Sequence, residues 1–277
     1  MSLKRAFIAS LLALAAGPAL AAGATTPPPI QPGANAQPAP AATPAPPAPV
    51  RATPEQRAMA ERLDPLGRAA FWAREVDANP LDYDARLKLA KALRALGKYD
   101  EAAAAADQLL VIQPDNLEAL LESARARVAA NQGFYAIDDA QRAETLAPRD
   151  WRPVAVLAIA LEQSDRDADA LAAHQKALTL APDNPATLTN LGLYYATHGD
   201  PAAAEPLLRR AADAPGATAQ ERQNLALVLG LQGKLDEAVQ LERRDLPPDQ
   251  VQSNLAYLHA AADPPAPRTW DSVRGAH

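Results

Sequence analysis

The side chains able to do acid–base or metal chemistry in this 277-residue chain are few, and their spacing does not suit it. There are four histidines, His174, His198, His259 and His277, and no cysteine. A helical metal site needs two ligands on one face, as in His-Glu-x-x-His, and no pair of these histidines is spaced that way. Asp165, Asp167 and Asp169 alternate, but they fall between two helical patterns, where acids cap a helix start and face water. Gly-x-Ser-x-Gly elbows, phosphate loops and glycine-rich dinucleotide fingerprints are all missing. The pattern therefore predicts no catalytic residue, no metal, no cofactor and no small-molecule substrate.

What remains is recognition. Lys91, Arg125, Ile159, Leu193 and Leu227 stand 34 residues apart, and a parallel column three residues on holds Arg94, Val128, Glu162, Ala196 and Gly230. The stripe is basic at its N-terminal end and apolar with small residues at its C-terminal end. It would suit a short segment with one acidic and one apolar end.

The same period runs through the elements that must carry this stripe. Pro114, Pro148 and Pro182 are 34 residues apart, with Gly216 one period further. With each proline at position 32, repeats begin at Tyr83, Leu117, Trp151, Pro185 and Ala219. Position 20 is Ala102, Ala136, Ala170, Ala204 and Ala238, and position 8 is Ala or Gly throughout. Small residues at both places let two helices lie close together. Position 15 is Gly97, Asn131, Asp165, Gly199 and Gly233, residues that tolerate the positive φ on which a helix ends before a sharp reversal. Each proline at position 32 then stops the second helix.

A helix-turn-helix unit of 34 residues with these small positions resembles the tetratricopeptide repeat. The fold expected is all-α: a solenoid of antiparallel helix pairs, about five repeats (83–116, 117–150, 151–184, 185–218, 219–248) plus partial capping repeats, within a domain spanning 55–262. Phe71 and Trp72 would cover the opening face, and 249–262 would form a closing helix. Three departures stand out. Arg127 occupies position 11, elsewhere Leu93, Leu161, Tyr195 and Leu229, so Val128 is expected to rotate inward in its place. Pro206 should bend a second helix, and Asp245 interrupts a column of Leu and Ala. The second and fifth repeats are expected to pack least well.

The resemblance implies that first helices line an inner groove of a right-handed superhelix, chiefly through positions 2, 5, 9 and 12, so the two columns above, positions 9 and 12, become part of its floor. Asn190, Asn224 and Asn254 resemble the asparagines that hold peptide backbone in peptide-binding members; the other reading is that they bond neighbouring helices. The basic clamp for a terminal carboxylate is not reproduced, since Ala155 and Thr189 stand where its lysines would be.

The ends are of different material. Residues 1–21 read as a secretory signal: Lys4 and Arg5, then an apolar run too short to span ~30 Å of hydrocarbon, then small residues. Residues 22–54 carry 11 prolines and read as a disordered linker, either tether or spacer; 263–277, with Trp270, read as a disordered tail. Formal charge is -6, which argues against a nucleic-acid binder. With no cysteine there is no thiol for a lipid anchor.

Beyond the repeat, Gln223–Gly233 (QNLALVLGLQG), Arg243–Leu258 (RRDLPPDQVQSNLAYL) and Phe71–Ala102 are similar to TadD proteins of the tight-adherence machinery that assembles Flp pili. The likeness spans about residues 66–260. It implies a periplasmic, pilotin-like protein whose partner is the outer-membrane secretin or another pilus component. Many members are lipoproteins, and here this chain departs. A general cell-envelope chaperone or scaffold is the alternative.

Overall fold

The structure, a computed structural model, describes residues 51–262. The signal reading, most of the linker and the tail with Trp270 and His277 lie outside the described residues.

Thirteen helices follow one another, with no strand among the described residues: α1 (Pro54–Ala60), α2 (Pro65–Ala78), α3 (Tyr83–Ala95), α4 (Tyr99–Leu110), α5 (Leu117–Ala129), α6 (Gly133–Leu146), α7 (Trp151–Gln163), α8 (Asp167–Leu180), α9 (Pro185–Thr197), α10 (Pro201–Asp213), α11 (Ala219–Leu231), α12 (Leu235–Glu242) and α13 (Pro248–Ala262). Helices α3 to α12 form five consecutive antiparallel pairs.

Each first helix starts on a side-chain cap. Asp82, Asn116, Asp150, Asn184 and Thr218, one per repeat, each accept a hydrogen bond from a backbone N–H of the first turn. Each first helix ends the same way too. Lys98, Gln132, Arg166, Asp200 and Lys234 donate their backbone N–H to the carbonyls of Leu93, Arg127, Leu161, Tyr195 and Leu229. The residue before each donor has positive φ: Gly97 at 76°, Asn131 at 58°, Asp165 at 56°, Gly199 at 85° and Gly233 at 77°. Those six-to-one bonds satisfy carbonyls that the helix leaves open and reverse the chain into the second helix.

The pairs close on their small residues. Ala90, Ala124, Ala158, Ala226, Ala102, Ala136, Ala170 and Ala204 have no exposed surface. Gly192 takes the remaining position 8, where an added Cβ would meet Leu208 Cγ at 2.8 Å. Pro114, Pro148 and Pro182 lie in the turns that follow α4, α6 and α8. Pro206 sits inside α10, which continues through it.

Curvature follows from which helices touch. The backbones of successive first helices lie close together from α3 through α5, α7, α9 and α11 to the closing α13, while those of successive second helices stand further apart and are bridged by long side chains, as in Lys176–Glu144 and Arg209–Glu237. First helices therefore crowd the inside of the array and second helices spread on the outside.

Both ends are covered. Trp72 is buried against Ala60 and Ala85, with Phe71 at its edge. Residues 51–54 do not belong to the linker assigned to them: Arg51 pairs with Asp82 at 2.7 Å, the Ala52 amide donates to Glu75, and Thr53 caps α1. These contacts outweigh the extended preference of a proline-rich stretch. At the far end Leu258 of α13 fills the space above Gly230, where an added Cβ would run into Leu258 Cδ1.

The second repeat does not rotate Val128 in to replace Arg127. Val128 packs half-buried on the core, and Arg127 stays inside, pairing with Asp139 at 2.5 Å and Asp107 at 2.7 Å. In the fifth repeat, α12 has 8 residues, and Asp245 is held by Arg222 at 2.6 Å. No helix of the described residues is long and apolar enough to cross a membrane.

Candidate functional site

The inner face is built by α3, α5, α7, α9 and α11, and its N-terminal half is a ribbon of charge. Lys91 Nζ lies 3.4 Å from Glu118, and Arg94 Nε lies 2.5 Å from Glu122, which is fully buried. Arg152 of α7 reaches Glu118 at 2.8 Å and Asp150 at 2.6 Å. Burial would raise the Glu118 carboxyl, but Arg152 and Lys91 outweigh it and hold that group below the usual glutamate range. The hydrogen bonds that Arg152 donates to Asp150 and Glu118 hold its proton more firmly than usual.

The N-terminal half is thus not the open basic surface that the two columns suggested. Glu118, at position 2 of its repeat, and Glu122, at position 6, neutralise Lys91, Arg94 and Arg152 from the neighbouring helix. Arg125 is different. It is half-buried, with no hydrogen bond or ion pair to any described residue, and its electrostatic neighbours are Glu122, Arg94, Arg152 and Glu118.

The C-terminal half is apolar and incompletely covered: Ile159, Leu193 and Leu227 are all half-buried. The asparagines divide. Asn190 is half-buried, and its side chain makes no hydrogen bond to a described residue. Asn224 is buried and accepts from Gln220 at 3.1 Å, and Asn254 donates to the buried Glu242 at 3.0 Å. Asn254 thus joins α13 to α12, whereas Asn224 is bonded within its own helix, α11. Thr189, beside Asn190, has a buried hydroxyl without a hydrogen-bond partner among the described residues.

The two histidines whose side chains are described, His174 and His198, are packing residues in this arrangement. His174 is buried beside Tyr194, 3.6 Å from Glu162, and His198 stacks on the Tyr194 ring at 3.9 Å between ring centres. His277 and the side chain of His259 lie outside what is described. Asp169 pairs with Arg166 at 2.7 Å, and Asp165 is the positive-φ residue of its turn. Among the described residues no group of three or more potential ligands is placed to hold a metal ion. A depression of about 600 Å³ lined by Gln56, Met59, Leu63, Phe71 and Arg74 lies at the N-terminal end, away from the stripe.

Sequence reading missed the five N-caps. An Asp, Asn or Thr stands immediately before position 1 of each repeat, and the shared capping chemistry was the available signal.

Two tetratricopeptide-repeat family models match, one at residues 83–126 and one at 189–251. No curated protein sequence matches the chain. Among solved structures, a thermophilic tetratricopeptide-repeat protein of Thermus thermophilus is similar at 25% identity and a TM-score of 0.57, covering 64% of this chain and 98% of that one. A tetratricopeptide-repeat protein from Parabacteroides merdae has 14% identity and a TM-score of 0.61, covering 75% and 86%. Repeat length, paired helices and these likenesses agree: the described part of this chain is a tetratricopeptide-repeat solenoid.

Proposed function

We propose that this chain is a non-enzymatic adaptor that holds a segment of a protein partner along its inner face, and that it serves Flp pilus assembly from the periplasm, supporting the outer-membrane secretin as a pilotin does. Tetratricopeptide repeats generally bind proteins. The observation that carries the adaptor reading is the half-buried stripe of Ile159, Leu193 and Leu227 on the curved-in side of the array. Apolar side chains left partly open on a concave surface, beside the unengaged amide of Asn190, are what an extended segment needs: area to bury and a polar group for its backbone.

The pilus assignment rests on the sequence resemblance over residues 66–260, and the periplasmic location on the signal-like residues 1–21. On this reading the protein reaches the outer membrane through its partner. Deleting the gene and following secretin multimers in outer-membrane fractions tests this. Loss of multimers, restored by the wild-type gene, is the expected result. Unchanged multimers and normal pili would overturn the assignment, and crosslinked clients without a link to pili would point to a general envelope chaperone.

A further inference from the structure

The inner-face reading above is the basis for a more specific one about the partner's chemistry. Along the ribbon, four cations (Lys91, Arg94, Arg125, Arg152) face three carboxylates (Glu118, Glu122, Asp150). Every member has an ion-pair partner except Arg125. Its guanidinium is half-buried, and burial is the main reason its hold on the proton is weaker than usual. Arg94 and Arg152 push in the same direction, while Glu122 and Glu118 oppose them. A guanidinium drawn partly out of water without a hydrogen-bonded carboxylate is unfavourable, and an arriving one relieves it.

We propose that Arg125 is the docking point for a single acidic side chain, Asp or Glu, within an extended partner segment whose apolar residues lie along Ile159, Leu193 and Leu227. One acid is accommodated, not a run of them. A second would have to displace Glu118 from Lys91 and Arg152, or Glu122 from Arg94, and Glu122 has no exposed surface. Arginine suits the task because its planar fork can donate two parallel hydrogen bonds to one carboxylate.

The geometry also sets a spacing. Consecutive first helices are in contact, and packed helices lie ~8–10 Å apart. From α5 to α9 is two such steps, roughly 20 Å, which an extended chain at ~3.3 Å per residue covers in about six residues. The acid and the residue meeting Leu193 should therefore be about six positions apart, and the residue meeting Leu227 about three further on.

The test is selection from a library of random 14-residue peptides, acetylated and amidated at their ends, on the full chain, followed by fluorescence anisotropy of the strongest binder. One Asp or Glu about six positions from a large apolar residue is the expected motif. Replacing that acid by Ala should weaken binding about tenfold, as a charged hydrogen-bonded pair warrants. Arg125→Gln should weaken binding of the original peptide by a similar factor and not affect the Ala version, while Arg125→Lys should keep part of the preference. If Arg125→Gln retains the acid preference, the proposal is overturned and the groove reading stands. Selection only from a second library with free C-terminal carboxylates would overturn it in favour of a terminal carboxylate. If Leu193→Asp with Leu227→Asp binds as the wild type does, or the wild type selects nothing, the groove reading falls as well.

Discussion

Arg127 on α5 donates to Asp139 on α6 at 2.5 Å, in the layer where the other repeats pack Leu93, Leu161, Tyr195 or Leu229. Ser123 completes the group: its hydroxyl oxygen lies 2.7 Å from Asp139 and 2.8 Å from Asp107, and it also accepts from Arg127. Burial pushes the Asp139 carboxyl above the usual aspartate range despite Ser123 and Arg127, which suits a site where one hydroxyl proton serves two carboxylates.

A buried ion pair is costly to halve and cheap to replace whole. Arg127→Leu alone strands Asp139 and is expected to lower stability by about 2 kcal/mol or more, seen as a lower thermal midpoint by circular dichroism. Ser123→Leu, Arg127→Leu and Asp139→Ala together reproduce the side chains of the third repeat at the same positions (Leu157, Leu161, Ala173), and the triple variant should melt at or above the wild-type temperature. A triple variant weaker than Arg127→Leu would show that the polar group is the better solution here.

What the sequence made legible follows from this contrast. The alanine columns and the positive-φ column could be read because one residue type at one position does one job in every repeat. Charges do not work that way. Lys91 and Arg94 looked available because their partners, Glu118 and Glu122, lie 27 and 28 residues on, on another helix. Only knowing that first helices touch brings them together. Arg127 was read as a misfit for the same reason: Asp107 and Asp139 are 20 and 12 residues away on the two second helices flanking α5.

The repeat pattern alone makes Gly192→Ala look favourable, since the other four repeats have Ala there and Gly weakens a helix by ~1 kcal/mol. The packing reverses the sign. Leu208 fills the space, with Cγ 2.8 Å and Cδ2 2.9 Å from an added Cβ, and it has no exposed surface into which to move. Overpacking of this kind costs about 1–3 kcal/mol. Gly192→Ala should therefore destabilise α9 and α10 by hydrogen exchange. Gly192→Ala with Leu208→Ala reproduces the Ala–Ala pairing of the first two repeats, Ala90 with Ala106 and Ala124 with Ala140, and should cost less than the sum of the two single changes, because the clash is gone.

Acid should loosen the N-terminal end in a defined window. Burial would raise the Asp82 carboxyl, but hydrogen bonds from Arg57, the Ala85 amide and Arg51 outweigh it and lower it from 3.8 to about 2. A carboxyl depressed on folding stabilises the fold above its unfolded value, and that contribution fades as pH falls from about 4 to about 2. The shift corresponds to about 2 kcal/mol. Asp139 and Glu242, both raised by burial, have the opposite sign and favour the fold on the acid side. Trp72, buried with Arg57 5.7 Å from its ring centre, reports the cap in a Trp151→Phe, Trp270→Phe background. Its fluorescence should change over that window, and Asp82→Asn, which keeps the helix cap but not the charge, should remove the transition.

The groove itself can be broken without breaking the fold. Leu193 and Leu227 are half-buried and belong to none of the buried clusters, whereas Leu225 and Leu229 beside Leu227 form part of the core of the last repeats. Replacing both by Asp lowers intrinsic helix preference only by about 0.5 kcal/mol each. Any bound segment would instead meet two carboxylates where it should bury apolar side chains, each desolvated at a cost far above that figure. Leu193→Asp with Leu227→Asp should therefore abolish partner capture while the far-ultraviolet circular dichroism stays near wild type. The same pair of changes on the outer face, at the exposed Phe134 and Tyr135, should leave capture intact. The reverse outcome would move the interface to that side.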